Sequence, residues 1–474
     1  MTGLAAAAGD RPAMLVLEDG RTFRGTAFGA GRETFGEMVF NTGMTGYQET
    51  LTDPSYCRQI VVMTAPHIGN TGVNDDDPES RRIWVSGYVI REPPGAASSW
   101  RSVRTLEDEL RARGVTGIAI SGTRALTRHL RERGAMRAAI AAARSDPAEL
   151  LERVRASPPM TGADLAREVS TPHAYTVGPP AGVPVRFEVA AVDLGIKAAT
   201  LRHLARLGCR VRVLPATAAA GQILAAGPDG AFFSNGPGDP AAAGYAVEAM
   251  RGVLGAGLPV FGICLGSQIL GRALGLGTYK LRFGHRGVNQ PVKDLRTGRV
   301  YITSHNHGFA VSPPQQDPAT PFETPFGRAL GLGTYKLRFG HRGVNQPVKD
   351  LATGRVQITS HNHGFAVAPP GTQTLPGADA PEVGPGADGP PGEPGRGAVV
   401  AHDQKLLAPF DTPFGRAQVS HVNLNDGVVE GIQLLDAPAF SVQYHPEAAP
   451  GPHDAAGEFD AFCALMERAG HAQA

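Results

Sequence analysis

One cysteine stands between glycines where an apolar run gives way to a helical pattern: Gly262-Ile263-Cys264-Leu265-Gly266-Ser267, followed by Gln268. That layout is a nucleophile elbow. The turn exposes its central side chain in a strained conformation, and the flanking glycines remove the Cβ atoms that would block close strand-to-helix approach. A helix N-terminus also carries partial positive charge, which favours an anionic sulfur. A lone cysteine is more often a small buried side chain, but two distant segments shift the weighing. Tyr444-His445-Pro446-Glu447 follows the alternating stretch Ala439-Phe440-Ser441-Val442-Gln443, so a base and a carboxylate two residues apart sit at a strand end. Phe232-Phe233-Ser234-Asn235-Gly236-Pro237-Gly238-Asp239-Pro240 closes another apolar strand with a glycine-rich turn, whose bare amides suit an oxyanion. Cys264 as nucleophile, His445 as base and Glu447 as its orienting partner would perform covalent acyl chemistry.

Such groups need elements to hold them. Strand-like Val185 to Asp193 leads to a helical pattern, and then come apolar stretches at Arg210 to Leu214, Gly230 to Ser234 and Leu258 to Ile263. Apolar strands alternating with helices argue for an α/β fold with a mostly parallel sheet covered on both faces. Sites in such sheets gather at the strands' carboxyl ends, where Gly236 and Cys264 fall. Upstream, residues 1–150 read as a mixed domain of short strands, turns and arginine-bearing helices. Residues 151–184, rich in Pro and Gly toward their end, read as a linker, and 185–474 as the domain that carries the cysteine.

The triad segments resemble the class I glutamine amidotransferases, in which an elbow cysteine works with a His-Pro-Glu motif. Phe40-Asn41-Thr42-Gly43-Met44-Thr45-Gly46-Tyr47-Gln48-Glu49, Leu51-Thr52-Asp53-Pro54-Ser55-Tyr56 and Pro66-His67-Ile68-Gly69-Asn70 narrow the match. They resemble the N-terminal domain of the carbamoyl phosphate synthetase small-subunit family. The resemblance implies glutamine as substrate, bound by Ser55, Gly236, Gly238, Leu265, Gln268 and one Asn/Gly/Phe set. It also implies a cysteine thioester, and a large-subunit partner that receives ammonia to make carbamoyl phosphate for pyrimidine and arginine synthesis. No cofactor is expected on this chain, because ATP, bicarbonate and Mg belong to the large subunit. The absence of a phosphate-loop motif agrees with that division.

A near-identical repeat interrupts the second domain. Residues 271–311 recur as 327–367 with only Arg296/Ala352 and Tyr301/Gln357 differing, so segment 271–326 is followed by a copy, 327–382. Repeat folds use divergent units in longer arrays, so the pattern reads as a recent tandem duplication or an assembly error in the sequence. A Pro-, Gly- and Ala-dense stretch, 369–397, can bury no apolar face and is expected to be disordered. The substrate set is therefore Asn306, Gly308 and Phe309, or the duplicate Asn362, Gly364 and Phe365. Copy one is expected in place because it continues directly from the elbow helix. The pairs His305/His307 and His361/His363 have a metal-ligand spacing, yet they exist twice because the segment was copied, and no metal is expected.

Bulk properties exclude several classes. Lys plus Arg is 45 against 44 acidic residues, so no general basic field favours nucleic acid or an anionic membrane. The four cysteines are scattered, as suits a reducing compartment; no stretch is long and apolar enough to span a bilayer, and a cytoplasmic protein is expected. Two positions depart from the family pattern: Ser267 stands where a histidine is usual, and Ser121-Gly122-Thr123-Arg124 replaces an Asp-Thr-Arg pattern. Altered glutamine affinity or coupling is expected from the first, and an effect on local structure or subunit contact from the second. Competing readings are a subunit of another synthetase, a scaffold subunit impaired by the repeat, and a free-standing cysteine hydrolase.

Overall fold

The computed structural model describes residues 11–314 and 408–470, and the backbone of 334–349, 356–367 and 471–473. The chain divides into two compact units, Met1–Ala319 with Leu406–Ala474, and Thr320–Lys405.

The first unit begins with seven strands: β1 Pro12–Leu17, β2 Thr22–Gly29, β3 Thr34–Asn41, β4 Gln59–Met63, β5 Gly87–Ile90, β6 Thr116–Ala119 and β7 Met136–Ala142. They close into a barrel in the order β1-β2-β6-β5-β4-β3-β7. Alternation along β1 shows why both faces are dry. Ala13, Leu15 and Leu17 join one core with Ile60 and Val89, while Met14 and Val16 meet Ala139, Leu150 and Val154 on the other side.

Leu150 and Val154 belong to a helix, Pro147–Ala156, that starts where Asp146 accepts a hydrogen bond from the Ala148 amide and Pro147 occupies the first turn. This helix crosses into the region expected as a linker. Further on, Met160, Leu165 and Val169 pack with Cys57, Trp84 and Phe309. The segment is thus a structured strap, and its apolar residues were hard to see because they stand singly among Pro, Gly and polar residues. The Ser121-Gly122 departure falls at the start of helix Thr123–Arg133, where Gly122 is the N-cap and supplies no side-chain hydrogen bond.

The second sheet contains β8 Tyr175–Val177, β9 Phe187–Asp193, β10 Cys209–Pro215, β11 Gly230–Phe233, β12 Val260–Ile263, β13 Thr278–Asp294 and β14 Val300–Val311. After the second unit's β15 Thr334–Lys349 and β16 Val356–Val367, it is completed by β17 Phe410–Thr412, β18 Gly415–Asn423, β19 Val429–Leu434 and β20 Ala439–Val442. The order is β17-β18-β13-β14-β19-β20-β12-β11-β9-β10-β8. The centre, β20-β12-β11-β9-β10, is parallel. Ala190, Val192 and Phe233 face helices Gly244–Gly255 and Leu265–Ala273; Val189, Ala191 and Phe232 face helices Ala198–Arg206 and Gly457–Gln473. Burial on both faces explains the near-continuous apolar runs of these strands.

The two copies of the repeat fold alike but pair differently. β13 and β14 form a hairpin with Thr278 opposite Val311, and β15 and β16 repeat its register with Thr334 opposite Val367. Copy one also pairs with β18 and β19, and so lies in the main sheet. Copy two forms a separate two-stranded sheet. One of the two differing positions contributes to the choice: the Arg296 guanidinium grips Asp294 and reaches Gln433 on β19 at 3.0 Å, whereas copy two has Ala352 there. The side chains of Asn362, Gly364 and Phe365 and the whole of insert 369–397 lie outside the described residues.

Candidate active site

Cys264 caps the helix Leu265–Ala273 with φ 53° and ψ −102°, a left-handed backbone that a side-chain-bearing residue adopts at a cost of about 1–3 kcal/mol. The glycines around it are required. A Cβ on Gly262 would lie 2.8 Å from the Gly266 carbonyl, and one on Gly266 would run into the Phe233 carbonyl oxygen. Gly266→Ala should therefore lower stability by about 3 kcal/mol, because the Phe233 backbone of β11 cannot yield. Urea unfolding of the purified variant checks this.

His445 follows β20, and its backbone N–H donates to the Ser304 carbonyl of β14 at 2.8 Å. Its Nδ1 meets Glu447 Oε1 at 2.7 Å, which leaves Nε2 as the reacting nitrogen. Nε2 has no hydrogen-bond partner, and the Cys264 thiol is close enough to act on the imidazole electrostatically. Sγ itself lies 3.7 Å from the Asn306 carbonyl. Sequence reasoning missed Lys197, whose ammonium sits 2.9 Å from Glu447 Oε1. Burial opposes charge on all three groups, but the Lys197 and His445 cations hold Glu447 below the usual carboxylate range. The Glu447, Glu79 and Asp53 carboxylates raise Lys197. His445 is likewise opposed by burial, yet Glu447 and Cys264 push it up to about 10.

A measurable consequence is pH-dependent stability. The folded state holds the His445 proton more tightly than the unfolded chain, whose ordinary value is 6.5, so the contribution is complete below that pH. It is lost as pH rises from 6.5 toward about 10. The melting temperature should fall over that window, and the fall should be smaller in His445→Gln, as scanning calorimetry of both proteins would record.

A small cavity brings together Ser55, Gly236, Gly238, Cys264, Gln268, Asn306, Gly308 and Phe309. Leu265 is buried at the start of the elbow helix beside Gly236. The barrel contributes through Asp53, which accepts from the Ser55 amide at 2.9 Å and the Asn306 side-chain amide at 2.8 Å. Asn235 Nδ2 donates to the Ser55 hydroxyl at 3.0 Å, so the glycine turn is tied to the barrel. Gln268 Nε2 donates to the Phe309 carbonyl at 2.8 Å. Ser267 instead bonds the Ser441 hydroxyl of β20 at 2.9 Å, a helix-to-sheet contact.

Arg286, Glu37 and Gln59 also border the cavity, and sequence reasoning did not find them. They come from opposite domains, and only the fold unites them. Arg286 is buried, and its Nε lacks a partner. Glu37 pairs with Lys280 and accepts from Gln59 Nε2 at 3.1 Å.

Comparison with known proteins bears directly on this arrangement. Residues 15–140 match the model of the carbamoyl-phosphate synthase small chain, CPSase domain, and residues 190–324 with 398–465 match that of the class-I glutamine amidotransferases. The curated carbamoyl phosphate synthase small chain of Streptomyces avermitilis is 52% identical, with 96% of each chain covered. The chain belongs to the carbamoyl phosphate synthase small chain family. The proteins of that name from Streptomyces coelicolor and Mycolicibacterium paratuberculosis are 51% and 50% identical over 96% of this chain. They cover 96% and 98% of their own lengths. The amidotransferase match resumes only at residue 398, so it passes over the second copy and the insert and uses copy one. Among the described residues, no helix is long and apolar enough to cross a membrane.

Proposed function

We propose that this chain is the glutamine-hydrolysing subunit of a carbamoyl phosphate synthetase, and that Cys264, His445 and Glu447 carry the reaction. The observation that supports it best is the strained elbow cysteine beside an imidazole whose other nitrogen is held by a buried carboxylate. Cys264 sulfur attacks the side-chain amide carbon of glutamine while His445 Nε2 holds the thiol proton. The tetrahedral oxyanion is met by the backbone N–H groups of Leu265 and Gly238, each worth about 3 kcal/mol. Collapse breaks the carbon–nitrogen bond, ammonia leaves with the proton from His445, and a thioester remains. Water then gives a proton to His445 and adds to the thioester, which releases glutamate and restores the thiol.

Ser55, Gly236, Gly238, Leu265, Gln268, Asn306, Gly308 and Phe309 bind glutamine in this reading. Arg286 supplies the positive charge for the substrate's α-carboxylate. Arg286→Gln should raise KM for glutamine about 10- to 100-fold with a smaller change in kcat, as expected when a charged hydrogen bond of about 1.5–3 kcal/mol is lost. Steady-state glutaminase kinetics check it.

Ammonia is useful only before it is protonated by bulk water, so it passes to a large subunit. There ATP, bicarbonate and Mg serve carbamoyl phosphate synthesis for the pyrimidine and arginine pathways in the cytoplasm. This chain binds no nucleotide of its own. The test is glutamine-dependent carbamoyl phosphate formation by the purified chain with its large subunit. Activity only with ammonia would instead mark an impaired scaffold, and full glutaminase activity without a partner would mark a free-standing hydrolase.

A further inference from the structure

Behind the glutamine cavity lies a cluster that the proposed hydrolysis does not use. β13 pairs with β14 and β18, and β19 pairs with β18 and touches β14, so these four strands are joined edge to edge. From them His285, His305, His307 and Glu430 turn inward, all buried, with one ligand atom of each within 4.8 Å of the others. His305 Nδ1 and His307 Nε2 are 3.1 Å apart. Glu430 Oε1 lies 3.5 Å from His285 Nδ1, 3.7 Å from His305 Nδ1 and 3.9 Å from His307 Nε2.

The outward ring nitrogens decide what those inward ones carry. His285 Nε2 faces the Asp426 carboxylate at 2.7 Å, and His307 Nδ1 faces the Phe309 carbonyl at 2.8 Å. Both partners accept, so both outward nitrogens donate. His305 Nε2 faces the Thr303 hydroxyl at 2.8 Å, and that hydroxyl also reaches the Gln290 carbonyl at 2.8 Å; with the hydroxyl hydrogen on that carbonyl, His305 Nε2 donates as well. In the neutral imidazoles all three inward nitrogens are therefore lone pairs, and they converge on a carboxylate. His285 Nδ1 and Glu430 Oε2 have no hydrogen-bond partner, although both are fully buried. Converging lone pairs in a dry interior are costly unless a positive charge joins them, either a proton shared with Glu430 or a metal ion.

We infer that His285 Nδ1, His305 Nδ1, His307 Nε2 and Glu430 bind one divalent zinc ion in a closed tetrahedral site. Ligands at about 2.0–2.1 Å from zinc stand about 3.3–3.4 Å from one another, within the span of the separations seen here. Asp426, Thr303 and the Phe309 carbonyl fix the three rings from behind, the arrangement that orients metal-ligating histidines. With four protein ligands no position is left for a reacting water, so the ion is structural. It clamps β14, where His305 and His307 point to the metal while Asn306, between them, points to Asp53 at the glutamine cavity. The duplication had explained away the histidine pair; His285 and Glu430, distant in sequence, restore the metal reading. Glu430 follows the repeat and exists once, and among the described residues it meets the histidines of copy one.

Metal analysis of the untagged full-length chain, expressed in zinc-supplemented medium, should find about one zinc per chain. His305→Gln and Glu430→Gln should lose it, and His361→Gln in the second copy should keep it. The cobalt-substituted wild-type chain should show intense tetrahedral visible bands without thiolate charge transfer, a readout that stands even if a variant fails to fold. Wild-type chain with well under one zinc and no tetrahedral cobalt spectrum would overturn the inference. So would equal zinc in wild type and a folded His305→Gln, since that marks an adventitious ion only.

Discussion

Cys264→Ser, assembled with the large subunit, is expected to lose glutamine-dependent carbamoyl phosphate formation by about 10⁴-fold or more and to retain ammonia-dependent formation unchanged. Removing a covalent nucleophile leaves only binding and the oxyanion donors, and losses of about 10⁴–10⁶ are typical of such triads. The substitution keeps the volume of a side chain that is 1% exposed, so the elbow should survive. The paired assay, one with glutamine and one with ammonium, separates chemistry from assembly. Loss of both activities would instead mean that the elbow holds the subunit together, and no loss would remove Cys264 from the reaction.

Asn306→Ala and Asn362→Ala should differ sharply although the two asparagines have identical neighbours in sequence. Asn306 donates to Asp53 Oδ2, and its backbone carbonyl lies 3.7 Å from the Cys264 sulfur. Removing the amide strands a buried carboxylate and should lower kcat/KM for glutamine about 10- to 100-fold, the equivalent of about 1.5–3 kcal/mol. Asn362 lies in β16, which pairs with β15 alone among the described residues, and its loss should be silent. Excising 327–382 or 271–326 would leave single-copy chains whose hairpins differ only at Arg296/Ala352 and Tyr301/Gln357, which is why point variants discriminate between the copies better than deletions.

The elbow, the glycine turn and the His-Pro-Glu segment were legible because each is a local device. Backbone sterics dictate glycine at Gly262 and Gly266, and a residue such as Glu447 two positions past a base at a strand end announces its role. The central parallel strands were legible through their continuous apolar runs. Lys197 was not, because a lysine between a strand and a helix looks solvated until Glu447 arrives from more than two hundred residues away. The strap between the domains was missed for a related reason: single apolar residues such as Leu165 and Val169 show no period, and only Trp84 and Phe309 make them a core.

The repeat draws the line between the two kinds of information most clearly. Sequence by itself determined the hairpin: identical residues give identical register in both copies, since strand pairing across a short connection depends on local pattern. It also determined which chemical groups are available, including both sets of histidines. Which copy enters the main sheet, which histidines meet Glu430 and which asparagine meets Asp53 were decided only by tertiary structure. The reason is physical: β18 and β19 offer one set of strand edges, so a single hairpin can satisfy them, and among the described residues its side chains meet Glu430 and Asp53, partners that the chain carries once.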